Sequence, residues 1–396
     1  MRIAIVVFGT RGDVQPTVAL ALELRKAGHE VILCVPPEHE DWINAYGCPV
    51  IPFGSNVKEM IKKGGEKAGQ PATRPSVKTM RQEISYHIDK LPDIVRGSDL
   101  LIGVGLVQGV PTVAEKLNIP YRFLAFYPGI MGPPRDAPFP GRLTWAFGKW
   151  ATNAAMRGLI NKKRKETGLK PIADVWTNWM GENVILASEK ALIPVSDKVD
   201  FRCTQTGYMF LPSLAPLPEE VERFLAAGAP PVFIGFGSNP IHKPEQFSRI
   251  VAGVAKTTGR RLIVSKGWGA IESTTDQENC LFVDEVPYDL LFPRVAMMVH
   301  HGGIGTLAAA ARAGVPQAAF PFMADQFMNR KEMIRIGISP KTVAFKKMTA
   351  ELLTRVISEG LAEARYREKA VEIAMEINRH DGTVMTAGVI GGTMER

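Results

Sequence analysis

Short apolar runs alternate with amphipathic stretches at the start of the chain. Residues 2–8, Arg-Ile-Ala-Ile-Val-Val-Phe, are almost wholly apolar, which is typical of a strand buried on both faces of a parallel sheet. A glycine-bearing loop follows at 9–13, and the apolar spacing over 19–27 predicts a helix that ends at Gly28. Another strand is predicted at 31–35, so the pattern is strand, loop, helix, strand.

The same order of elements recurs in the second half of the chain. The predicted strands there are 231–235, 261–265, 296–299 and 317–320, and the predicted helices are 246–257 and 306–313. Strands that alternate with helices are typical of parallel, doubly wound sheets. The predicted fold class is therefore α/β, with two Rossmann-like domains that face each other across a ligand cleft.

A proline-rich segment, Leu-Pro-Ser-Leu-Ala-Pro-Leu-Pro at 211–218, divides the two halves as a linker. A chain of 396 residues suits two domains of roughly 150–200 residues each. We predict an N-terminal domain at 1–210, a C-terminal domain at 219–378 and a tail at 379–396 that packs back on the N-terminal domain. The last predicted helix covers 362–379.

Composition narrows the class of protein. Hydrophobic residues make up 45% of the chain and charged residues 22%, as in an ordinary globular protein. The net charge of +8 comes without a dense lysine or arginine run, which favours a small anionic ligand over nucleic acid. The four cysteines form neither a CxxC pair nor a metal-ligand pattern, and no apolar stretch reaches the roughly 20 residues that span a bilayer. With no signal peptide, these features predict reduced thiols and a cytoplasmic protein.

Two stretches of the first half resemble neither sheet nor helix core. Residues 56–90 carry eight Lys or Arg against four Asp or Glu, and residues 126–150 mix aromatic side chains with five prolines. Each stretch predicts an acceptor-binding surface. The alternative is a solvated loop for 56–90 and irregular packing for 126–150.

The segment His-His-Gly-Gly-Ile-Gly-Thr at 300–306 lies between a predicted strand and a predicted helix. Backbone N–H groups at the positive end of a helix dipole form an anion site. Gly302, Gly303 and Gly305 allow a phosphate to approach closely, and Thr306 and an imidazole add hydrogen-bond donors. We predict that this loop stabilises a diphosphate leaving group without a metal. The alternative is a tight turn with incidental histidines.

Three further polar residues of this half follow predicted strands. Ser238 ends the loop Gly-Phe-Gly-Ser and is a second candidate clamp on phosphates. Asp325 and Gln326 pair a carboxylate with an amide, which suits vicinal sugar hydroxyls. Asp325 also suits the N-cap of the next helix, and the two roles are compatible.

Asp13 is the candidate general base of the first half. It lies just before the first predicted helix, so helix capping and catalysis are both open from its position. As a base it would accept a proton from an acceptor hydroxyl while the new bond forms. Arg11 would neutralise phosphate or orient Asp13.

Several motifs are absent. The chain has no Asp-x-Asp, GxxxxGK[ST], GxGxxG or HExxH, which weakens metal-chelating sugar transfer, nucleotide hydrolysis, dinucleotide redox chemistry and zinc proteolysis. The remaining histidines are expected at the surface: His29, His39, His87, His242 and His380.

With these residues in place, the sequence resembles the two-domain, GT-B-fold glycosyltransferases of the UDP-glycosyltransferase superfamily. The resemblance is strongest to enzymes that act on glycopeptide antibiotics and other bacterial natural products, and it extends to sterol glucosyltransferases. The matching segments are 9–16, 34–37, 230–238, 265–268, 300–306, 311–317 and 323–326. They span nearly the whole chain, but the likeness fades in 56–90 and 126–150.

The resemblance implies an inverting, metal-independent transfer of a hexose from a UDP- or TDP-sugar, with no cofactor. The implied acceptor is a hydroxyl of a small hydrophobic natural product, and no nucleic acid is involved. Asp13 matches the catalytic base of the family, and Val286 falls where the nucleobase is bound. The residues expected to bind the donor are Arg11, Gly12, Ser238, Val286, His301, Gly302, Gly303, Gly305, Thr306, Asp325 and Gln326.

Three alternatives remain open from the sequence. A UDP-sugar epimerase would need several acid–base residues around the sugar, and the aromatic stretch 126–150 favours an acceptor instead. A non-catalytic helper that binds sugar nucleotides would not need Asp13 or the Asp325–Gln326 pair. A sterol or lipid glucosyltransferase would rest the basic stretch 56–90 on anionic headgroups in a peripheral membrane contact. The sequence indicates no oligomeric state.

Overall fold

The structure is a computed structural model that describes residues 1–60, 76–133, 138–237, 239, 241, 244–267, 279–323 and 325–392. The contacts within the chain divide it into two compact units. The first unit holds Met1–Lys190, Pro194–Leu211 and the C-terminal segment from Asp381, and the second holds Ala191–Ile193 and Pro212–His380.

Strands and helices alternate through both units. The strands are β1 (Arg2–Phe8), β2 (Glu30–Val35), β3 (Val50–Pro52), β4 (Leu100–Gly105), β5 (Tyr121–Ala125), β6 (Asn183–Leu186), β7 (Arg202–Gln205), β8 (Val232–Gly235), β9 (Leu262–Ser265), β10 (Cys280–Val283), β11 (Met297–His300) and β12 (Gln317–Ala319). The helices are α1 (Arg11–Lys26), α2 (Glu40–Asn44), α3 (Val77–Val95), α4 (Val110–Leu117), α5 (Phe139–Glu166), α6 (Val175–Met180), α7 (Glu219–Ala226), α8 (Pro244–Thr258), α9 (Tyr288–Leu291), α10 (Ile304–Arg312), α11 (Asp325–Arg335), α12 (Ala350–Ala362), α13 (Ala364–Ile377) and α14 (Gly382–Gly391).

The first unit contains a seven-stranded parallel sheet in the order β3-β2-β1-β4-β5-β6-β7. Strand β1 lies between β2 and β4, and each residue from Ile3 to Phe8 is at most 1% exposed. This two-sided burial accounts for the continuous apolar run in the sequence. Helix α1 packs on β1 and on α14, so the end of the chain belongs to this unit.

The second unit contains a five-stranded parallel sheet in the order β10-β9-β8-β11-β12. His300 at the end of β11 pairs in register with Gly235 of β8 and Ala319 of β12. The loops that follow these three strands therefore leave the sheet at one edge. Both units confirm the predicted α/β class with parallel sheets.

The prediction that 56–90 and 126–150 lie outside helix core was wrong in part. Residues 77–95 form α3, because Met80, Ile84, Ile88 and Leu91 repeat at helical spacing and are buried. The end of the second stretch begins α5, whose proline lies in the first turn, where no intrahelical N–H is lost. Residues 61–75 and 134–137 of these stretches lie outside the described residues.

The expectation that the remaining histidines lie at the surface was also wrong in part, because two of them are buried. His39 is 7% exposed and His87 1% exposed, while His242 lies outside the described residues. The His87 ring stacks on Phe53 and meets the edge of Phe8, so it fills core space as an aromatic ring. All four cysteines are free of disulfides. Within the described ranges, we find no helix with the length and apolar character needed to cross a membrane.

Candidate active site

The candidate site of the second unit is built around the turn between β11 and α10. His300 is fully buried at the end of β11 and shapes this turn. Its Nδ1 accepts a hydrogen bond of 3.1 Å from the Gly302 N–H, which leaves the proton on Nε2 to be donated to Gln317 Oε1 at 3.0 Å. Burial, and secondarily His301, lowers the pKa of His300 to about 3. His300 is therefore a neutral structural residue of the loop.

The ring of His301 lies between two glycines from different loops. A Cβ at Gly303 would come within 3.1 Å of three ring atoms, and one at Gly237 would lie 3.0 Å from the ring. Gly237 has a φ of +60° and follows β8, so the loops after β8 and β11 meet at this ring. A larger residue at either position would displace the imidazole.

The electrostatics of His301 favour its neutral form. Burial lowers the pKa of His301 to about 4. Its Nδ1 is buried and has no hydrogen-bond partner among the residues that the structure describes. Toward a phosphate, the ring would therefore act as a neutral hydrogen-bond donor.

Helix α10 supplies the backbone donors. It starts at Ile304 with Gly303 as N-cap, so Gly305 and Thr306 lie in its first turn. The first turn contains no acidic residue that would offset the positive end of the helix dipole. Ile304, Gly305 and Thr306 are all partly exposed. These features are those of an anion site at a helix start.

Helix α11 supports the same loop from the other side. Gly302 has a φ of +90°, and a Cβ there would lie 3.2 Å from the backbone oxygen of Gln326. The fully buried Asn329 donates from Nδ2 to the Gly302 carbonyl oxygen at 2.8 Å. Nothing in the sequence pattern singled out Asn329. The sequence feature that could have found it is its spacing of four residues, one helical turn, from Asp325.

The Asp325–Gln326 pair lies next to this loop, at the start of α11. Gln326 Oε1 accepts hydrogen bonds from the N–H groups of Phe322, at 2.9 Å, and Met323, at 3.2 Å. Its amide oxygen therefore stabilises the turn after β12, and its NH2 group is the part suited to a ligand. The half-buried Asp325 is the first residue of α11, one position after the N-cap position predicted for it, and its acidic side chain lies in the first turn.

Two predicted donor-binding residues are less constrained by the structure. Ser238 lies outside the described residues, although its neighbour Gly237 touches the His301 ring. Val286 is half-buried, follows β10 and packs against the apolar cluster on one face of the sheet.

In the first unit, Asp13 is the third residue of α1 and partly exposed. Its Oδ2 accepts a hydrogen bond of 2.9 Å from the Thr10 N–H, so the carboxylate caps the helix. A Cβ at Gly9 would collide with this carboxylate, so Gly9 makes room for it. The capping role is thus present, and it fixes the side chain at the carboxyl end of β1.

Near the start of α1 lie two residues that the sequence pattern did not reveal, Trp42 and Tyr208. Arg11 and Gly12 are exposed, and the Arg11 guanidinium lies over the Trp42 ring, 5.2 Å from its centroid. Burial, and secondarily the negative charge of Asp13, raises the pKa of Tyr208 well above its usual value. Tyr208 comes from the segment after β7, which no motif marks.

Two parts of the chain match family models of known proteins. Residues 3–131 match the glycosyltransferase family 28 N-terminal domain, and residues 271–381 match the C-terminal domain of erythromycin biosynthesis protein CIII-like proteins. The solved glycosyltransferase VinC in complex with dTDP has a TM-score of 0.71 at 20% identity, covering 99% of both chains. The fold is that of the GT-B glycosyltransferases, and the chain is a glycosyltransferase.

Curated relatives define the family more narrowly. The vancomycin aglycone glucosyltransferase of Amycolatopsis orientalis is 33% identical, covering all of this chain and 98% of the relative. The sterol 3-beta-glucosyltransferase UGT80B1 of Arabidopsis thaliana is 28% identical, covering 96% of this chain and 66% of the relative. The chain belongs to the glycosyltransferase family that contains the glycopeptide-antibiotic glycosyltransferases.

Proposed function

We propose that the chain transfers a hexose from a UDP- or TDP-sugar to a hydroxyl of a small hydrophobic natural product, with inversion at the anomeric carbon and without a metal. The observation that carries the donor half of this proposal is the His301 ring, held between Gly237 and Gly303 at the start of α10. That arrangement offers a diphosphate a neutral ring donor and backbone N–H groups.

The leaving group is the diphosphate of the donor. As the bond from the anomeric carbon to the diphosphate oxygen breaks, negative charge grows on the diphosphate. We assign the stabilisation of this charge to His301, Gly303, Gly305 and Thr306, with Ser238 as a further donor. Because the loop is fixed by His300 and Asn329, its donors need little rearrangement during the reaction.

Recognition of the sugar falls to Asp325 and Gln326. The carboxylate of Asp325 would accept hydrogen bonds from sugar hydroxyls, while the NH2 group of Gln326 would donate one. Val286 would meet the nucleobase, and Arg11 and Gly12 would contact the donor from the first unit. Both residues are exposed, and the Arg11 guanidinium lies over the Trp42 ring.

Asp13 would act as the general base. In the proposed single displacement, the acceptor oxygen attacks the anomeric carbon, and Asp13 takes the hydroxyl proton as that bond forms. Its hydrogen bond to the Thr10 N–H fixes the carboxylate at the start of α1. The carboxylate of Asp13 is the group that we assign to the proton.

Two relatives keep a second acceptor class in view. The name of the vancomycin aglycone glucosyltransferase gives a glycopeptide aglycone as its acceptor, whereas the name of UGT80B1 gives a sterol. Higher identity and fuller coverage of the relative favour the natural-product acceptor over a sterol or lipid.

The proposal is tested by separating donor from acceptor. Thermal unfolding would first be measured with UDP- and TDP-sugars, in the presence and absence of EDTA. The stabilising donors would then be incubated with pooled glycopeptide, polyketide and sterol acceptors, and products detected by mass spectrometry. We expect a glycoside of opposite anomeric configuration to the donor, formed equally well with EDTA. A retained configuration, or loss of transfer with EDTA, would contradict the mechanism.

A further inference from the structure

The first turns of α5 present large apolar side chains to solvent. Phe139 is 74% exposed, Leu143 57%, Phe147 66% and Trp150 64%. At about 100° per residue, these positions fall within an arc of about 80° and extend over about 16 Å of helix. We call these four residues the exposed stripe. An apolar strip of this kind on a polar surface marks an interaction site.

The opposite side of the same turns anchors α5 to its own unit. Trp145 meets the edge of Trp176, with ring centroids 4.6 Å apart. One turn later, Lys149 Nζ lies 2.5 Å from Asp174 Oδ2. These contacts fix the rotation of the helix about its axis. The exposed stripe therefore points away from the core of the first unit.

Basic residues accompany the exposed stripe. From Phe139 to Glu166, α5 contains seven Lys or Arg and a single acidic residue, Glu166 itself. Arg142 lies beside the stripe and is exposed, and Arg157, Lys162 and Lys165 are exposed further along the helix. Helix α3 packs on α5 and adds two exposed cations, Lys78 and Arg81, and Arg81 donates to the carbonyl oxygen of Ala155, beyond the last residue of the stripe. On α5, four exposed cations thus stand against one exposed carboxylate, that of Glu166 at the far end of the helix from the stripe.

We propose that the exposed stripe is a docking surface for an anionic lipid bilayer. Helix α5 would lie in the plane of the interface, with Phe139, Leu143, Phe147 and Trp150 inserted between headgroups. The lysines and arginines would contact the lipid phosphates. Aromatic and leucine side chains on one side and cations around them are the composition of interfacial helices. A second copy of the chain is disfavoured as occupant, because it would bring two basic helices together.

The test measures partition of the full chain onto vesicles. Vesicles of phosphatidylcholine with about one-third phosphatidylglycerol are compared with phosphatidylcholine alone, and bound protein is separated by sedimentation. We expect binding to the anionic vesicles only. The double variant Phe147→Ser, Trp150→Ser should bind about 100-fold more weakly, because each lost side chain removes about tenfold in partition. Met375→Ser is the matched control, since Met375 is 59% exposed on α13 of the second unit.

A charge pair separates local contact from net charge. Arg142→Glu and Arg249→Glu change the charge of the chain equally, but Arg249 lies on α8 of the second unit, where its side chain is 77% exposed. We expect only Arg142→Glu to weaken vesicle binding. Equal losses would show nonspecific attraction by the whole chain and would overturn the proposal.

Three other results would also overturn it. The first is absence of wild-type binding to anionic vesicles. The second is unchanged binding by the double variant. The third is light scattering that shows a lipid-free dimer which the double variant dissociates, since the stripe would then join two copies. Circular dichroism and thermal unfolding check folding, and the single variant Leu143→Glu replaces the double variant if that one fails to fold.

Discussion

Replacing Gly303 with alanine tests whether the His301 ring must occupy its observed place. Gly303 has a φ of −64°, so alanine fits the backbone. The added methyl group, however, would come within 3.1 Å of three atoms of the His301 ring. Ordinary carbon contacts are about 3.5–4.0 Å, so the ring or the loop must move by about 1 Å. A displacement of that size at a catalytic group costs about 100-fold in rate.

The assay compares kcat/KM for the donor sugar nucleotide in wild type and Gly303→Ala. We expect a fall of about 100-fold, with thermal stability lowered by only about 1–3 kcal/mol from overpacking. Gly253→Ala is the matched control, because the nearest atom to an added Cβ there is the Ala350 Cβ at 4.0 Å. This control should leave kcat/KM unchanged.

A double-mutant cycle with His301→Ala isolates the physical cause. Once the imidazole is removed, the methyl group at position 303 has no ring to displace, so Gly303→Ala should cost little further activity. Additive losses would show that the alanine acts on the backbone donors and not through the ring. Unchanged kcat/KM in the single variant Gly303→Ala would refute the role assigned to the ring.

Three further predictions concern the surroundings of the site. Asn329→Ala removes the bond to the Gly302 carbonyl, and we expect a loss of about 1–3 kcal/mol in urea unfolding together with weaker TDP binding by calorimetry. Gly9→Ala would push the Asp13 carboxylate from its cap, so turnover should fall while the dissociation constant of TDP stays the same. His87, His300 and His301 have pKa values lowered from 6.5 to about 4, 3 and 4, so the unfolded chain binds more protons than the folded chain below pH 6.5. Stability should be full above that pH and fall as the pH drops towards 4, and His87→Phe should make this fall shallower by one proton.

Much of the fold follows from the sequence, because strands buried on both faces require continuous apolar runs. Strand β1 and the strands β8, β9, β11 and β12 of the second unit were recognisable for that reason, whereas β10 was not predicted. Helix α5 was not, since its first turns carry Phe139, Leu143, Phe147 and Trp150 on the exposed side. A helix whose apolar face points outward, after a run of prolines, gives the pattern of an irregular segment.

The residues alone predicted the candidate site at the loops that follow strands, where backbone donors and polar side chains suit a ligand. The glycine-rich turn at 300–306 was identified because helix starts bind anions. The residues alone did not separate its two histidines, and only the family resemblance singled out His301. In the structure, His300 faces Gln317 and His301 faces Gly237. Asn329 and Tyr208 were missed because their roles depend on packing between elements that are distant in the chain.

The most direct test of the account is Asp13→Asn, measured by turnover and by TDP binding on the same preparation. The asparagine Oδ1 still accepts a hydrogen bond from the Thr10 N–H, so the start of α1 should keep its cap. We expect transfer to fall by about 10²–10⁴-fold, the contribution of a general base, while TDP binds as in wild type. Undiminished transfer would contradict the assignment of Asp13 as the base. Loss of TDP binding together with transfer would contradict the assignment of the diphosphate site to the 300–306 turn.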